Sequence, residues 1–77
     1  MFGWVEVNGI MVRIRDIIAL GPIIQTEVTQ KFMFYVQGTR ERYYSQSYDS
    51  KLAASVHWAN ILDAVSKYEK SFCHNAL

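Results

Sequence analysis

Asn8-Gly9 stands between two apolar-rich runs, Trp4-Val5-Glu6-Val7 and Ile10-Met11-Val12-Arg13-Ile14. A two-residue type I′ turn needs positive φ at both central positions, and Asn-Gly supplies this at low cost, so the dipeptide specifies a β-hairpin. The turn sets the register: Val7 opposite Ile10, Glu6 opposite Met11, Val5 opposite Val12, Trp4 opposite Arg13. Side chains alternate across a strand. Val5, Val7, Ile10, Val12 and Ile14 therefore share a core face, and Trp4, Glu6, Met11, Arg13 and Arg15 share the other.

Residues 16–20 read either as a short helical turn or as a strand that bends at Gly21-Pro22. Pro22 has no N–H and belongs at a strand start or an edge. The β-branched run 23–29 predicts a third strand, Gln30-Lys31 a tight turn, and residues 32–36 a strong strand with Phe32, Phe34 and Val36 on one face. Gly38-Thr39-Arg40-Glu41 reads as the next turn, and residues 42–46 return as a strand with Tyr43 and Tyr44 on opposite faces.

Ser47, Asp49 and Ser50 are candidate N-caps for a C-terminal helix. From Lys51 to Phe72 there is no Gly or Pro, and Ala54, Trp58, Ile61, Leu62, Val65, Tyr68 and Phe72 recur at steps of three and four. Asn60, Asp63, Lys67 and Lys70 line the opposite side, with Asp63 and Lys67 spaced for an ion pair. The expected fold is α+β: an antiparallel β-meander of about four or five strands packed on one long C-terminal helix. It forms a single domain over residues 1–77, with the sheet over about 2–48, the helix over about 50–72 and a frayed tail at 73–77.

Composition narrows the class. The chain has 77 residues, 51% of them hydrophobic and 19% charged, which excludes an intrinsically disordered tail. Its formal charge of +1 argues against binding dominated by attraction to nucleic acid or an anionic membrane, which leaves weak nucleic-acid binding as a third-ranked role. Cys73 is the single cysteine, so no internal disulfide forms. The N-terminal residues lack a basic signal-peptide segment. The longest uncharged apolar stretch, residues 17–24, falls far short of the roughly 20 residues that span a bilayer. A cytoplasmic protein of a reducing compartment, with no membrane association, is the expectation.

Chemical motifs are sparse. His57, Cys73 and His74 lack metal-ligand spacing, so no metal and no cofactor is expected. Ser45, Ser47 and Ser50 precede the helix that carries His57, but no Gly-x-Ser-x-Gly elbow accompanies them, so no catalytic residue is assigned. The acids are scattered singly. Gly3, Gly9, Gly21 and Gly38 are isolated and form no phosphate loop.

One helix covers one sheet face. On the other face the sequence places Trp4, Met11, Arg13, Met33 and Tyr35, with Trp4 and Arg13 set for cation–π contact. Trp, Tyr, Met and Arg are enriched at interface cores, so this face is read as the surface of a homo-oligomer, or of a complex with another protein. An alternative is an oligomer that sequesters a small nucleotide-like anion. In that reading Arg40, Arg42, Arg13 or Arg15 holds the charge, and Tyr43, Tyr44 or Trp4 stacks on the base.

The opening Trp4-Val5-Glu6-Val7-Asn8-Gly9-Ile10-Met11-Val12, then Ile17-Ile18, a strand, Gly38, a strand and a Ser-started helix, resembles the flagellar FlbD-type family of small bacterial proteins over residues 4 to 66. The resemblance implies a small accessory or regulatory protein and transfers no catalytic residue. With the interface reading, it leads to the expectation of a non-enzymatic interaction module, phage or bacterial, that acts as an accessory or inhibitory protein.

Overall fold

In the computed structural model, which describes residues 3–76 and the side chains of residues 3–69, Asn8 and Gly9 both take positive φ, 51° and 81°. The turn joins β1 (Trp4–Val7) to β2 (Ile10–Arg13) in the expected register, from Val7–Ile10 out to Trp4–Arg13. The Glu6 carboxylate accepts from the Gly9 N–H at 2.8 Å and closes the turn. Val5, Val7, Val12 and Ile14 are buried. Ile10 is on the same side but 51% exposed, because it sits on an outer strand of a two-stranded ribbon, beside the turn.

Over residues 16–20 the strand reading prevails, and the turn comes earlier, from Ile14, at the end of the run expected to belong to the first hairpin. A 3-10 turn, Ile14–Asp16, is followed by β3 (Ile17–Leu20). The strand expected over residues 23–29 is reduced to β4 (Ile24–Gln25). Local polar bonds take the rest: Thr26 N–H donates to the Lys31 carbonyl at 2.9 Å, Gln30 N–H to the Thr26 carbonyl at 2.8 Å, and the Thr26 and Thr29 hydroxyls bond each other. Such side-chain partners compete with a ladder. The turn therefore lies at residues 27–29, Gln30 carries a φ of 60°, and Val28 is fully solvated.

The strand expected over residues 32–36 is split into β5 (Phe32–Met33) and β6 (Tyr35–Gly38). Gly21 N–H donates to the Tyr35 carbonyl at 2.8 Å, and pairing resumes only at Ile24–Met33. Pro22, lacking an N–H, and Ile23 stand in a two-against-one bulge opposite Phe34. Phe34, between Met33 and Tyr35, faces the other neighbour by strand alternation: its N–H donates to the Ser45 hydroxyl at 3.0 Å and its carbonyl accepts from Ser45 N–H at 2.9 Å. β7 (Arg42–Tyr44) flanks β6, and beyond it Phe32 and Tyr48 exchange two backbone bonds of 2.8 Å. The result is three small antiparallel sheets, β1–β2, β3–β6–β7 and β4–β5, in which the last two follow one bent meander. The fold is α+β as expected, with seven strands because the bulges cut the longer ones.

Helix α1 (Lys51–Ala76) starts at Ser50, whose hydroxyl accepts the Ala53 N–H at 3.1 Å. Its backbone continues past the expected end at residue 72 and through most of the stretch expected to fray, since no Gly or Pro interrupts it. Phe72, Lys70, Cys73 and His74 lie outside the described side chains, and Leu77 outside the described residues. Ala54 and Ile61 are buried, with Trp58, Val65 and Tyr68 half-buried against Phe34, Val36 and the valines of the hairpin. Leu62 is 43% exposed, because one residue past Ile61 turns it about 100° from the centre of the stripe. Asp63 and Lys67 pair at 3.0 Å in solvent.

Trp58 Nε1 donates to the Gly21 carbonyl at 2.8 Å and so ties the helix to the bulge. The Tyr35 ring lies flat on Gly21, where an added Cβ would meet ring carbons at 2.3–2.5 Å. Gly21→Ala is therefore expected to cost about 1–3 kcal/mol by overpacking, several degrees of Tm for a domain this size, measurable by urea and thermal unfolding.

Candidate functional site

The 3-10 turn turns Arg15 outward, beside both the open end of the first hairpin and the Gly38–Glu41 turn. Three clefts meet there. One, of about 380 Å³, is lined by Gly3, Trp4, Arg13, Arg15 and Tyr68. A second, of about 360 Å³, includes Arg13, Arg15, Asp16, Arg40, Glu41 and Tyr43. The third, of about 460 Å³, is lined by Ile14, Arg15, Ile17, Tyr68 and Glu69. Arg15 belongs to all three. The guanidinium of Arg13 lies 5.2 Å from the centre of the Trp4 ring, the cross-strand cation–π pair expected from the register. The carboxylate of Glu41 beside the Tyr43 hydroxyl, with partial burial, raises the Tyr43 phenol above its ordinary range.

A separate cluster occupies the sheet face turned away from the helix. Tyr35 and Tyr44 are paired across β6 and β7, their rings 6.2 Å apart. Arg42 lies over Tyr35 at 4.0 Å and donates through Nε to the Gln37 side chain at 2.9 Å. These residues, with Pro22, Ile24 and Phe34, line a cleft of about 230 Å³. Ile24 and Tyr44 are about half exposed, at 50% and 52%.

The five residues expected to share one interface are thus divided. Trp4 and Arg13 line the Arg15 clefts. Tyr35 lines the other cleft, and Met33 pairs with Ile24 at its border. Met11 is exposed on β2. The expected anion-holding set also divides: Arg15, Arg40 and Tyr43 come together, whereas Arg42 and Tyr44 project with Tyr35. The alternation of β7 enforces this, since residues 42 and 44 share one face and 43 the other.

His57 has both ring nitrogens engaged. Nε2 lies 2.8 Å from the Glu6 carbonyl, which can only accept, so Nε2 carries the hydrogen and Nδ1 accepts from the Tyr48 hydroxyl. The ring also meets Phe34 edge-on at 5.1 Å. This link between helix, hairpin and residue 48 joins positions far apart in the chain and leaves no local signal in the sequence. Buried Ser45 is similarly occupied, accepting from Phe34 N–H and donating to the Gln46 carbonyl at 2.9 Å. Among the described residues no group of three or more His, Cys, Asp and Glu is placed to hold a metal, and no described helix is long and apolar enough to cross a membrane.

Comparison with protein-family models, with curated proteins and with solved structures gives no match, so the reading of the site rests on its own geometry.

Burial, and secondarily the Glu6 carboxylate, hold the Tyr48 phenol above its usual value of about 10. The fold favours the neutral phenol, so this stabilisation is complete below about pH 10 and is lost as pH rises through the folded-state value. Urea midpoints followed from neutral to alkaline pH are expected to fall above about pH 10. Tyr48→Phe is expected to start about 1 kcal/mol lower at neutral pH, with His57 Nδ1 unpartnered, and then to decline less steeply.

Proposed function

We propose that this protein is a non-catalytic interaction module that self-associates and, as an oligomer, acts as an accessory or inhibitory protein on a macromolecular partner, in the manner of small phage and bacterial accessory proteins. The observation that carries the reading is the Tyr35–Tyr44–Arg42 cluster with half-exposed Ile24 beside it, on the sheet face opposite the helix. Tyrosine and arginine supply large contact area and directed polar groups, and they are the residue types that dominate interface energetics. The cluster also lies on the β6–β7 hairpin, and β7 is an edge of its three-stranded sheet. A second copy can therefore cover the aromatic face and the unpaired edge together. Both polar groups most suited to nucleophile and base, Ser45 and His57, are already bonded inside the fold, which supports a binding role over a chemical one. A reducing, cytoplasmic compartment fits the single cysteine.

Sedimentation or native mass spectrometry tests the assembly. The unmodified protein is expected to form a defined oligomer. Tyr44→Glu and Ile24→Lys, both at half-exposed positions, are expected to leave folded monomers with association weakened by about tenfold or more. A monomeric unmodified protein, or variants that associate as before, would remove this face from the reading.

A further inference from the structure

The Arg15 concavity is distinct from the Tyr35–Tyr44 face, and its chemistry is different. Arg13, Arg15 and Arg40 converge on it, yet none makes an ion pair among the described residues; the ion pairs there, Lys31–Asp49 and Lys67–Asp63, lie elsewhere. Asp16 and Glu41 stand on the same wall, also without a basic partner within salt-bridge distance. Guanidiniums and carboxylates that share a cleft without pairing leave the donors of Arg15 and Arg40 and the acceptors of Asp16 open to a third party, while the Glu41 carboxylate, beside the Tyr43 hydroxyl, keeps lone pairs for a second donor. The Trp4 indole, backed by Arg13 at 5.2 Å, adds a flat aromatic surface. The clefts, at about 360–460 Å³ each, are of the size that small-molecule sites take.

We propose that this concavity is a binding site for a ribonucleoside monophosphate: the phosphate on Arg15 and Arg40, the base stacked at the Trp4–Arg13 pair, and the sugar hydroxyls donating to the carboxylate of Asp16 or Glu41. Each part of the ligand answers one feature. Guanidiniums take phosphate oxygens in charge-assisted, bidentate bonds. A base offers its π-face to indole and guanidinium alike. An inorganic anion would meet the two carboxylates as repulsion, whereas ribose hydroxyls turn them into acceptors. A neutral apolar ligand would leave the three guanidiniums unused. Arg42 and Tyr44 take no part, since they project onto the other cleft.

Titration of the isotope-labelled protein with adenosine 5′-monophosphate, followed by NMR and calorimetry, tests this directly. Saturable binding is expected, with shifts concentrated at the Trp4 indole N–H, Arg15 and residues 38–43. Adenosine and inorganic phosphate should each bind at least about tenfold more weakly. Arg15→Ala and Arg40→Ala, both at exposed positions, should each weaken the nucleotide about tenfold or more while keeping the folded spectrum, and Lys31→Ala, at an exposed cation that lines none of these clefts, should bind as the unmodified protein does. The proposal is overturned by the absence of saturable binding with any of the four ribonucleoside monophosphates, by equal affinity for phosphate or adenosine, or by an Arg15→Ala variant of unchanged affinity. Markedly tighter, salt-sensitive binding of a single-stranded oligonucleotide would also overturn it, in favour of a nucleic-acid groove.

Discussion

The chain leaves its regular ladder at Gly21-Pro22, and the links that join helix to sheet gather at that break. Opposite it, Phe34 directs its backbone to the other neighbour, as alternation with Met33 and Tyr35 requires, and meets Ser45, whose hydroxyl stands in for a carbonyl. The Phe34 side chain shares the core face with Val36 and is 1% exposed, with His57 edge-on against it. The Gly21 carbonyl, at the break, takes the Trp58 indole N–H. Helix and meander are therefore locked at the point where the meander is least regular. Only glycine fits at position 21, because the Tyr35 ring occupies the space a Cβ would need. A bulge that breaks pairing here builds the core.

A chain of 77 residues buries a limited fraction of its surface, and here the fully buried apolar set comprises a few valines, two isoleucines, Ala54 and Phe34. Much of the rest of the holding falls to polar links that span the layers: Trp58 to Gly21, His57 to the Glu6 carbonyl, Tyr48 to His57. Each leaves a donor or acceptor partly buried and alone if its partner is removed, which makes a marginal core sensitive to single substitutions. With one helix available, the second sheet face stays open. The exposed Ile24 and Tyr44 are the consequence of a two-layer fold with too few elements to close itself.

The features legible in the sequence are those decided locally. The first hairpin needs only Asn8-Gly9 and alternation, and these alone set its register and the Trp4–Arg13 contact. The helix needs only its apolar period and a cap at Ser50. The third strand is overestimated because β-branched residues 26–29 look like strand, while Thr26, Thr29 and Gln30 satisfy their backbone within a turn. The split at Phe34 reflects two residues, Pro22 and Ile23, standing opposite it on one side and the Ser45 hydroxyl taking its N–H on the other, a juxtaposition that no short window of the sequence contains. The discrepancy at the candidate site is of another kind. Arg40, Arg42, Tyr43 and Tyr44 group by proximity along the chain, although the two-residue period of a strand already separates Arg42 and Tyr44 from Tyr43.

That separation shapes how the protein can work. The β6–β7 hairpin presents Tyr35, Arg42 and Tyr44 on one side, while Tyr43 on the other side backs against the core and borders the Arg15 clefts. Its connecting turn carries Arg40 and Glu41. An open aromatic face and one wall of the mixed-charge concavity thus share one short hairpin. β3 pairs Ile17 with Gly38, so the root of the turn that carries Arg40 is tied to the end of the 3-10 segment that carries Arg15, and one backbone pair sets the two guanidiniums on the same side of the fold.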